Sequence, residues 1–217
     1  MSCFDGPNVP TAGLLLQLDA GNIKSYPGSG SIWYDLSGNN NHFTLNGTLT
    51  YSQTNGFSGF TQTNRFYRNG FPTNLKTSQG GNGYTTLVWC KSNGATAWQK
   101  IIGNGDTDNY IDLYLYNGTT KYYQEDGSTL YYNDYQATPN NTLVLTVGTW
   151  YLLSSTNLNS GTVTGPTQAF GIGAEGSAAY NYPFNGNIAS VTLYNRVLTS
   201  AEIITYYTAG RQRFGLQ

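Results

Sequence analysis

The sequence predicts an all-β protein: a two-sheet antiparallel sandwich of jelly-roll type with one short C-terminal helix. Charged residues make up only 10% of the 217 residues, whereas glycine occurs 27 times and tyrosine 19 times. That composition favours short strands and tight turns over a helical bundle. Strand-like runs follow one another at a spacing of about 8–12 residues. Strands do not alternate with helical patterns, which excludes a parallel α/β sheet.

The first strand is predicted at 13–19. Leu14, Leu16 and Leu18 share one face of this strand, and Gln17 and Asp19 point to the other. Such alternation is typical of a strand with one face on the core and one face in contact with water.

Two later runs define the middle of the sandwich. The run at 84–91 is rich in β-branched and aromatic residues and predicts a central strand that is covered on both faces. The run at 110–116 alternates most clearly, and Asn117-Gly118 predicts a hairpin turn into a return strand at 120–124. Further strands are predicted at 43–51, 56–68, 101–102, 142–153 (bent at Gly148), 167–173 and 186–195.

A capping box near the C-terminus predicts the start of a helix. The Thr199 hydroxyl can accept a hydrogen bond from the backbone amide of Glu202, whose carboxylate can reach back to the amide of Thr199. Ile203, Ile204 and Tyr207 then form an apolar stripe. Gly210 is predicted to close this helix.

The chain is predicted to hold one domain at 13–210, between an N-terminal arm at 1–12 and a C-terminal tail at 211–217. A net charge of −1 without a Lys/Arg cluster argues against a nucleic-acid partner. No apolar stretch has membrane-spanning length, and no signal peptide is evident. Cys3 and Cys90 lie far apart in the sequence and are predicted to be reduced.

Blocks at both ends of the chain resemble a known family. They read LDAGN at 18–22, SYPGSG at 25–30 and WYDLSGN at 33–39, then FNGNIA at 184–189 and LYNRVLTSAEI at 193–203. These blocks are similar to the opening and closing segments of laminin-G-like, concanavalin A-like jelly-roll domains. The wording is similar to the version in structural proteins of tailed phages, especially those of marine bacteria and cyanobacteria.

The resemblance implies a non-enzymatic virion protein that is made in the host cytoplasm. The main expectation is a capsid decoration or head-surface protein, held by contacts to other virion proteins and forming a homo-oligomer on the particle. The alternative is a tail or fibre-tip carbohydrate-binding module that attaches to host surface glycans. A glycan hydrolase is disfavoured, because the chain lacks the clustered Glu-x-Asp-x-Glu carboxylates that such enzymes carry on this fold. The single histidine, His42, is expected in a turn, and no Gly-x-Ser-x-Gly elbow occurs.

The candidate recognition surface is the face of strand 110–116 that carries Tyr110, Asp112, Tyr114 and Tyr116, which we call the tyrosine face. Tyrosine offers a large contact area and a hydroxyl at little cost in conformational entropy, which suits both glycans and proteins. Trp98 is the tryptophan most open to stacking on a sugar. The alternatives are an ordinary solvated sheet face and, for Trp98, a place in the core.

Asp19, Asp35, Asn39 and Asn41 are the candidate metal ligands, because their oxygens suit calcium. The alternative is that Asp35 shapes a turn by accepting hydrogen bonds from backbone amides two and three residues later. The resemblance weakens the calcium hypothesis, because residues 188–190 read Ile-Ala-Ser where many relatives carry an acidic pair after the isoleucine. We therefore predict no cofactor, with calcium at this loop as the alternative.

Overall fold

A computed structural model describes residues 9–69, 83–94, 97–103, 113–115, 121–123, 129–132, 135–137, 143–157, 169–175 and 182–217. Within these ranges the chain forms two antiparallel eight-stranded sheets and one α-helix, which is followed by a 3-10 helix. The predicted all-β sandwich with a short C-terminal helix is confirmed. No helix in these ranges has both the length and the apolar character needed to cross a membrane.

The first eight strands, in chain order, are β1 (Leu14–Asp19), β2 (Ile32–Trp33), β3 (Phe43–Asn46), β4 (Thr50–Ser52), β5 (Gly56–Ser58), β6 (Arg65–Arg68), β7 (Tyr84–Ser92) and β8 (Gln99–Gly103). The remaining strands are β9 (Leu113–Leu115), β10 (Lys121–Tyr123), β11 (Thr129–Tyr132), β12 (Tyr135–Ala137), β13 (Leu143–Val144), β14 (Trp150–Asn157), β15 (Phe170–Ile172) and β16 (Gly186–Tyr194). The helix α1 spans Ser200–Gly210, and the 3-10 helix spans Arg211–Phe214.

Sheet A has the order β12-β11-β14-β7-β16-β5-β4, with β1 paired to β16, and sheet B has the order β13-β10-β9-β8-β15-β6-β3-β2. Strand β7 pairs with β14 on one side and with β16 on the other. Its side chains are buried on both faces, which confirms the central strand predicted at 84–91. Because β1 pairs with β16, the two ends of the chain close the sheet together.

Three of the predicted strands are wrong as single strands. The segments at 43–51, 56–68 and 142–153 each divide into two strands, one in each sheet. Gly47 lies at the first crossing with a φ of 73°, and Gly148 lies at the third with a φ of 78°. This left-handed backbone is accessible to glycine at little cost and turns the chain from one sheet to the other. The bend predicted at Gly148 is therefore a change of sheet.

The main core lies between the two sheets and is rich in aromatic side chains. Phe57 packs edge-on against Phe66, with 4.7 Å between the ring centroids, and against Trp33, at 4.8 Å. All three side chains are buried. Edge-to-face aromatic pairs contribute about 0.5–1.5 kcal/mol each beyond the burial of area. Trp33 therefore anchors the loops around β2 in the core.

A second apolar layer packs α1 against the outer face of sheet A. Ile203 and Tyr207 of the helix lie in one cluster with Trp89 of β7 and Trp150 of β14. The predicted capping box is confirmed, because the amide of Glu202 donates to Thr199 Oγ1 at 3.3 Å and the amide of Thr199 donates to Glu202 Oε2 at 2.9 Å.

The α-helix ends at Gly210, as predicted, but Gly210 is not a left-handed cap, because its φ is −98°. The chain continues through the 3-10 helix, and Gly215, with a φ of 70°, is the left-handed residue that closes it. Gly210 has a different role, since a Cβ at this position would lie 2.7 Å from Trp89 Nε1. The missing side chain lets α1 approach sheet A closely.

Strand β1 confirms the predicted alternation but not the expected exposure of its polar face. Leu16 and Leu18 lie in the main core, but Leu14 packs against the second cluster, because the register of β1 shifts between Leu14 and Leu16. Gln17 and Asp19 point to the side of sheet A that α1 and the 3-10 helix cover, and they are only 8% and 5% exposed. Cys90 is a buried free thiol whose pKa is raised by that burial, and Cys3 lies outside the described residues.

Candidate functional site

The two outer faces of the sandwich are covered differently. The outer face of sheet A is sealed by α1 and by the C-terminal segment, residues 211–216. Phe214 lies between Trp89 and Trp150, with centroid distances of 4.6 Å and 4.3 Å. Both described helices are used in this layer, so no described helix packs on the outer face of sheet B. That face is the candidate functional site.

A row of cross-strand partners crosses the outer face of sheet B. Gly103 of β8 pairs with Gly171 of β15, which pairs with Tyr67 of β6, and Tyr67 pairs with Thr44 of β3. Tyr67 is half-buried, and it follows Phe66, which points into the core. Because side chains alternate along a strand, Tyr67 lies on the outer face. Two glycines thus stand beside one aromatic side chain.

Charged side chains lie on the same face. Lys100 Nζ and Glu175 Oε2 are 3.2 Å apart, and both side chains are buried, with 7% and 1% exposed. Arg65 lies two residues from Tyr67 on β6 and shares its face. Burial lowers the pKa of the Arg65 guanidinium, and the negative charge of Glu175 raises it in turn. Two cations and one carboxylate therefore cluster beside the tyrosine.

The tyrosine face was predicted on the adjacent strand, β9. Leu113 and Leu115 are fully buried in the main core, which confirms the apolar half of the alternation. Tyr114 pairs through its backbone with Lys100 of β8 and with Tyr123 of β10. Its strand is thus a neighbour of the charged cluster.

The other members of the predicted recognition surface are placed less directly. Tyr110, Asp112 and Tyr116 lie outside the described residues. Trp98 is half-buried and immediately precedes β8. These residues stay predictions.

The four candidate calcium ligands do not lie in one place. Asp35 Oδ1 accepts hydrogen bonds from the amides of Gln17 and Ser37, both at 2.9 Å. Its Oδ2 accepts from Ser37 Oγ at 2.7 Å and from the amide of Asn41 at 2.9 Å. The bond to the Ser37 amide is the turn interaction offered as the alternative to calcium. Asp35 thus joins its loop to β1 by one hydrogen bond and shapes the loop itself by three.

The asparagine side chains reinforce the same loop. Nδ2 of Asn41 donates to the Leu15 carbonyl at 2.8 Å, and Nδ2 of Asn39 donates to the Leu14 carbonyl at 3.0 Å. Asp19 lies apart, on sheet A, where its Oδ1 accepts from the guanidinium of Arg213 at 2.6 Å. Within the described residues no three His, Cys, Asp or Glu side chains cluster.

His42 belongs to this loop and not to a catalytic group. Its Nδ1 accepts a hydrogen bond from the amide of Asp35 at 3.0 Å. The ring also packs edge-on against Tyr34, with 5.3 Å between centroids. The predicted turn histidine is therefore a structural residue, and its neutral Nδ1 is used as an acceptor.

Sequence reasoning missed the cluster of Arg65, Tyr67, Lys100 and Glu175. The alternation of Arg65 and Tyr67 around Phe66 indicates an outer face, but the single strand predicted at 56–68 hides it, because this segment contains two strands in different sheets. Glu175 follows β15 in an irregular stretch, where no period indicates the direction of a side chain.

Comparison with known protein families shows which family has this fold. The family model described as Laminin G 3, concanavalin A-like lectin/glucanases superfamily, matches residues 68–204, which is more than half of the chain. The chain belongs to the concanavalin A-like lectin/glucanases superfamily. The resemblance inferred from the end blocks is confirmed at this level. No curated protein sequence matches the chain significantly.

Solved structures of this lectin-like fold include enzymes and binding domains. The sialidase of Trypanosoma rangeli in complex with 2,3-difluorosialic acid is 16% identical, with a TM-score of 0.61, and the match covers 94% of this chain and 34% of the sialidase. The binding domain of botulinum neurotoxin DC in complex with SialylT is 9% identical, with a TM-score of 0.59, and the match covers 92% and 52% of the two chains.

A third structure is domain 4 of AbnA, an extracellular arabinanase from Geobacillus stearothermophilus, in complex with arabinotriose. It is 16% identical, with a TM-score of 0.49, over 90% of this chain and 98% of that domain. The lectin-fold chain spans about a third of the length of the sialidases it matches. At these identities the similarity shows the fold, which occurs both in catalytic proteins and in binding domains.

Proposed function

We propose that the chain is a non-enzymatic carbohydrate-binding module that takes a glycan on the outer face of sheet B. One observation carries this proposal: α1 and the C-terminal segment cover the outer face of sheet A, whereas sheet B carries the half-buried Tyr67 and Arg65 beside the buried Lys100–Glu175 pair. The alternative that the sequence offered, a lectin-like module, therefore takes precedence over the capsid decoration protein.

The chemistry of the face suits a sugar. The ring of a tyrosine can pack against the apolar face of a pyranose, while its hydroxyl and nearby charged groups bond the sugar hydroxyls. Tyr67 lies in one row with Gly103 and Gly171, which are buried, so the accessible part of this row is at Tyr67. The sialidase structure is a complex with 2,3-difluorosialic acid and the neurotoxin domain is in complex with SialylT, and this supports a glycan ligand here.

The absence of catalysis is part of the proposal. Glycoside hydrolysis requires two carboxyl groups about 5–9.5 Å apart across the scissile bond. Three of the carboxylates that the structure describes form ion pairs: Glu175 with Lys100, Glu202 with Arg196 and Asp19 with Arg213. The fourth, Asp35, accepts hydrogen bonds from within its own loop. Each of these carboxylates is thus used in an ion pair or in hydrogen bonds within the domain. We therefore infer binding without turnover.

A glycan array probed with the purified chain tests the proposal, followed by calorimetry on any glycan that binds. We expect Tyr67→Ala to weaken the affinity about five- to tenfold, since one stacked ring contributes about 1 kcal/mol. Ile204→Ala is the matched control, because Ile204 is an exposed apolar residue of α1 on the other side of the molecule. A blank array, or equal affinities for a folded Tyr67→Ala variant and the wild type, would contradict the proposal.

We also propose that the module is displayed on a phage particle, with other virion proteins or copies of itself as partners. This setting rests on the resemblance of the end blocks. Those blocks supply β1 and β16, which pair with each other in sheet A. They therefore support the fold more strongly than they support display on a phage particle. A role in host attachment favours the tail or fibre tip over the head. Mass spectrometry of purified particles tests the setting, and particles without the protein would refute it.

A further inference from the structure

A layer of polar side chains is buried between sheet A and the C-terminal segment. Asp19 of β1 pairs with Ser190 of β16, and Ser190 pairs with Trp89 of β7. These three residues form one cross-strand row on the side that α1 covers. Beside the row, Thr192 Oγ1 and the Tyr206 hydroxyl are 2.7 Å apart and share a hydrogen bond.

A cavity of about 20 Å³ lies in this layer. Its polar lining comes from Gln17, Asp19, Ser190 and Arg213, while Tyr206 and Phe214 contribute to the remainder. The register of β16 shifts between Ile188 and Ser190, and such an irregularity locally disturbs the packing of side chains on the strand.

The hydroxyl group of Ser190, which lines this cavity, requires a hydrogen-bond partner. The residue is only 6% exposed, and its Oγ is buried without a hydrogen-bond partner among the described protein residues. Buried hydroxyl groups in folded proteins nearly always have a partner, which is often an ordered water. Both bonds to the carboxylate of Asp19 go to Oδ1, which leaves Oδ2 able to accept.

The charge of the lining and the volume of the cavity determine which molecule can bind there. Asp19 and Arg213 form a buried ion pair at 2.6 Å, so the lining has no net charge and favours a neutral molecule over an ion. A volume of about 20 Å³ accommodates one water molecule and no larger ligand. We propose that the cavity is a specific binding site for one structural water, which accepts from Ser190 Oγ and donates to the Asp19 carboxylate.

This water belongs to the hydrogen-bond network that connects sheet A to the C-terminal segment. Arg213 also donates to the carbonyls of Gln53 at 2.8 Å and Thr54 at 3.2 Å. The segment is therefore held by a network in which the ion pair, the turn after β4 and the bridging water act together.

The sign of the effect of Ser190→Ala on stability tests the proposal. If the hydroxyl holds the water, its removal takes a partner from the bridge, and we expect the melting temperature to fall by about 2–4 °C. If the cavity is dry, the same change only removes an unsatisfied hydroxyl, and the melting temperature stays constant or rises.

Ser154→Ala is the matched control. Ser154 is a fully buried serine of sheet A whose Oγ also has no partner among the described residues, but it does not line the cavity. We expect an unchanged or raised melting temperature for this variant.

A high-resolution crystal structure of the wild type supplies the direct measurement. Density for one water within hydrogen-bond distance of Ser190 Oγ and the Asp19 carboxylate, together with a destabilised Ser190→Ala variant, is the expected result. An empty cavity overturns the proposal. Water density with an equally stable Ser190→Ala variant overturns the bridging role of the serine.

Discussion

Among the described residues, each outer face of the sandwich has a buried ion pair, and the two pairs have different surroundings. On sheet A, Asp19 meets Arg213 at 2.6 Å under a lid of aromatic rings. On sheet B, Lys100 meets Glu175 at 3.2 Å beside Arg65 and a half-buried tyrosine. The first pair attaches the C-terminal segment to the first strand, whereas the second stands within a polar face that no described helix covers.

The difference separates stability from recognition on the same fold. Buried charge on sheet A is surrounded by groups that the domain itself supplies, so changes there are expected to alter unfolding. Charge and aromatic area on sheet B have no comparable apolar lid among the described residues. We therefore expect changes there to alter binding more than folding.

Breaking the pair on sheet A is expected to have the largest effect. Asp19→Asn leaves the Arg213 guanidinium buried without a counter-charge, and this typically costs about 3–5 kcal/mol. Urea unfolding measures the loss. A double variant, Asp19→Leu with Arg213→Met, should recover much of it, because an apolar pair does not require a counter-charge.

Removing the aromatic lid is expected to cost somewhat less. Phe214→Ala deletes a half-buried ring that packs against Trp89 and Trp150, and we expect a loss of about 2–4 kcal/mol in the free energy of unfolding. Ile204→Ala is the control, with an expected change within about 0.5 kcal/mol at an exposed position. Glycan affinity should be unchanged in both variants. A loss of binding in a folded Phe214→Ala variant would disprove the separation of the two faces.

The start of α1 provides a smaller and pH-dependent effect. Hydrogen bonds from Arg196, and also from the Thr199 amide, lower the pKa of Glu202 to about 2 from its ordinary 4.5. A depressed pKa contributes stability that is present above the ordinary value and is lost as the pH falls through about 2. Since this pair is partly exposed, we expect Glu202→Gln to cost about 1 kcal/mol at neutral pH.

Acid unfolding measures that contribution. The difference in unfolding free energy between wild type and Glu202→Gln should shrink as the pH is lowered from neutral to about 2. A difference that stays constant over this range would mean that the charge of Glu202 does not contribute.

Chelation is expected to have the smallest effect. Each carboxylate oxygen of Asp35 already accepts two hydrogen bonds from N–H or O–H donors, and a calcium ion would have to displace them. We expect EDTA to leave both the melting temperature and the glycan affinity unchanged. A fall in either value that calcium restores would establish a calcium-dependent lectin.

Local patterns predicted the elements that depend on neighbours in sequence. The leucines of β1 and β9 identify the faces that pack on the core, because alternation along a strand is fixed by backbone geometry. The capping box at Thr199 and Glu202 forms within four residues, so the sequence predicts it as well. A bend is predicted at Gly148 but not at Gly47, which lies inside the predicted strand 43–51, and a bend alone does not show whether the chain stays in its sheet or changes to the other.

The candidate site was predicted only in part. The sequence indicated β9 as a strand of the recognition face, and that strand is the neighbour of β8, which carries Lys100. It did not indicate Glu175, which follows β15 and contacts Lys100 of the neighbouring strand β8, or Tyr67, which pairs with a glycine of β15. Each of these contacts joins strands that are distant in the chain, so no window of sequence contains both partners.

By itself the sequence determined the fold class, the strand faces and the start of the helix, because these follow from backbone periodicity and from hydrogen bonds within a few residues. The tertiary structure decided which polar face is buried. Gln17 and Asp19 have the pattern of a solvated face, yet Arg213 covers Asp19 from 194 residues away in the chain. A buried carboxylate requires a partner, and only the folded chain brings that partner to it.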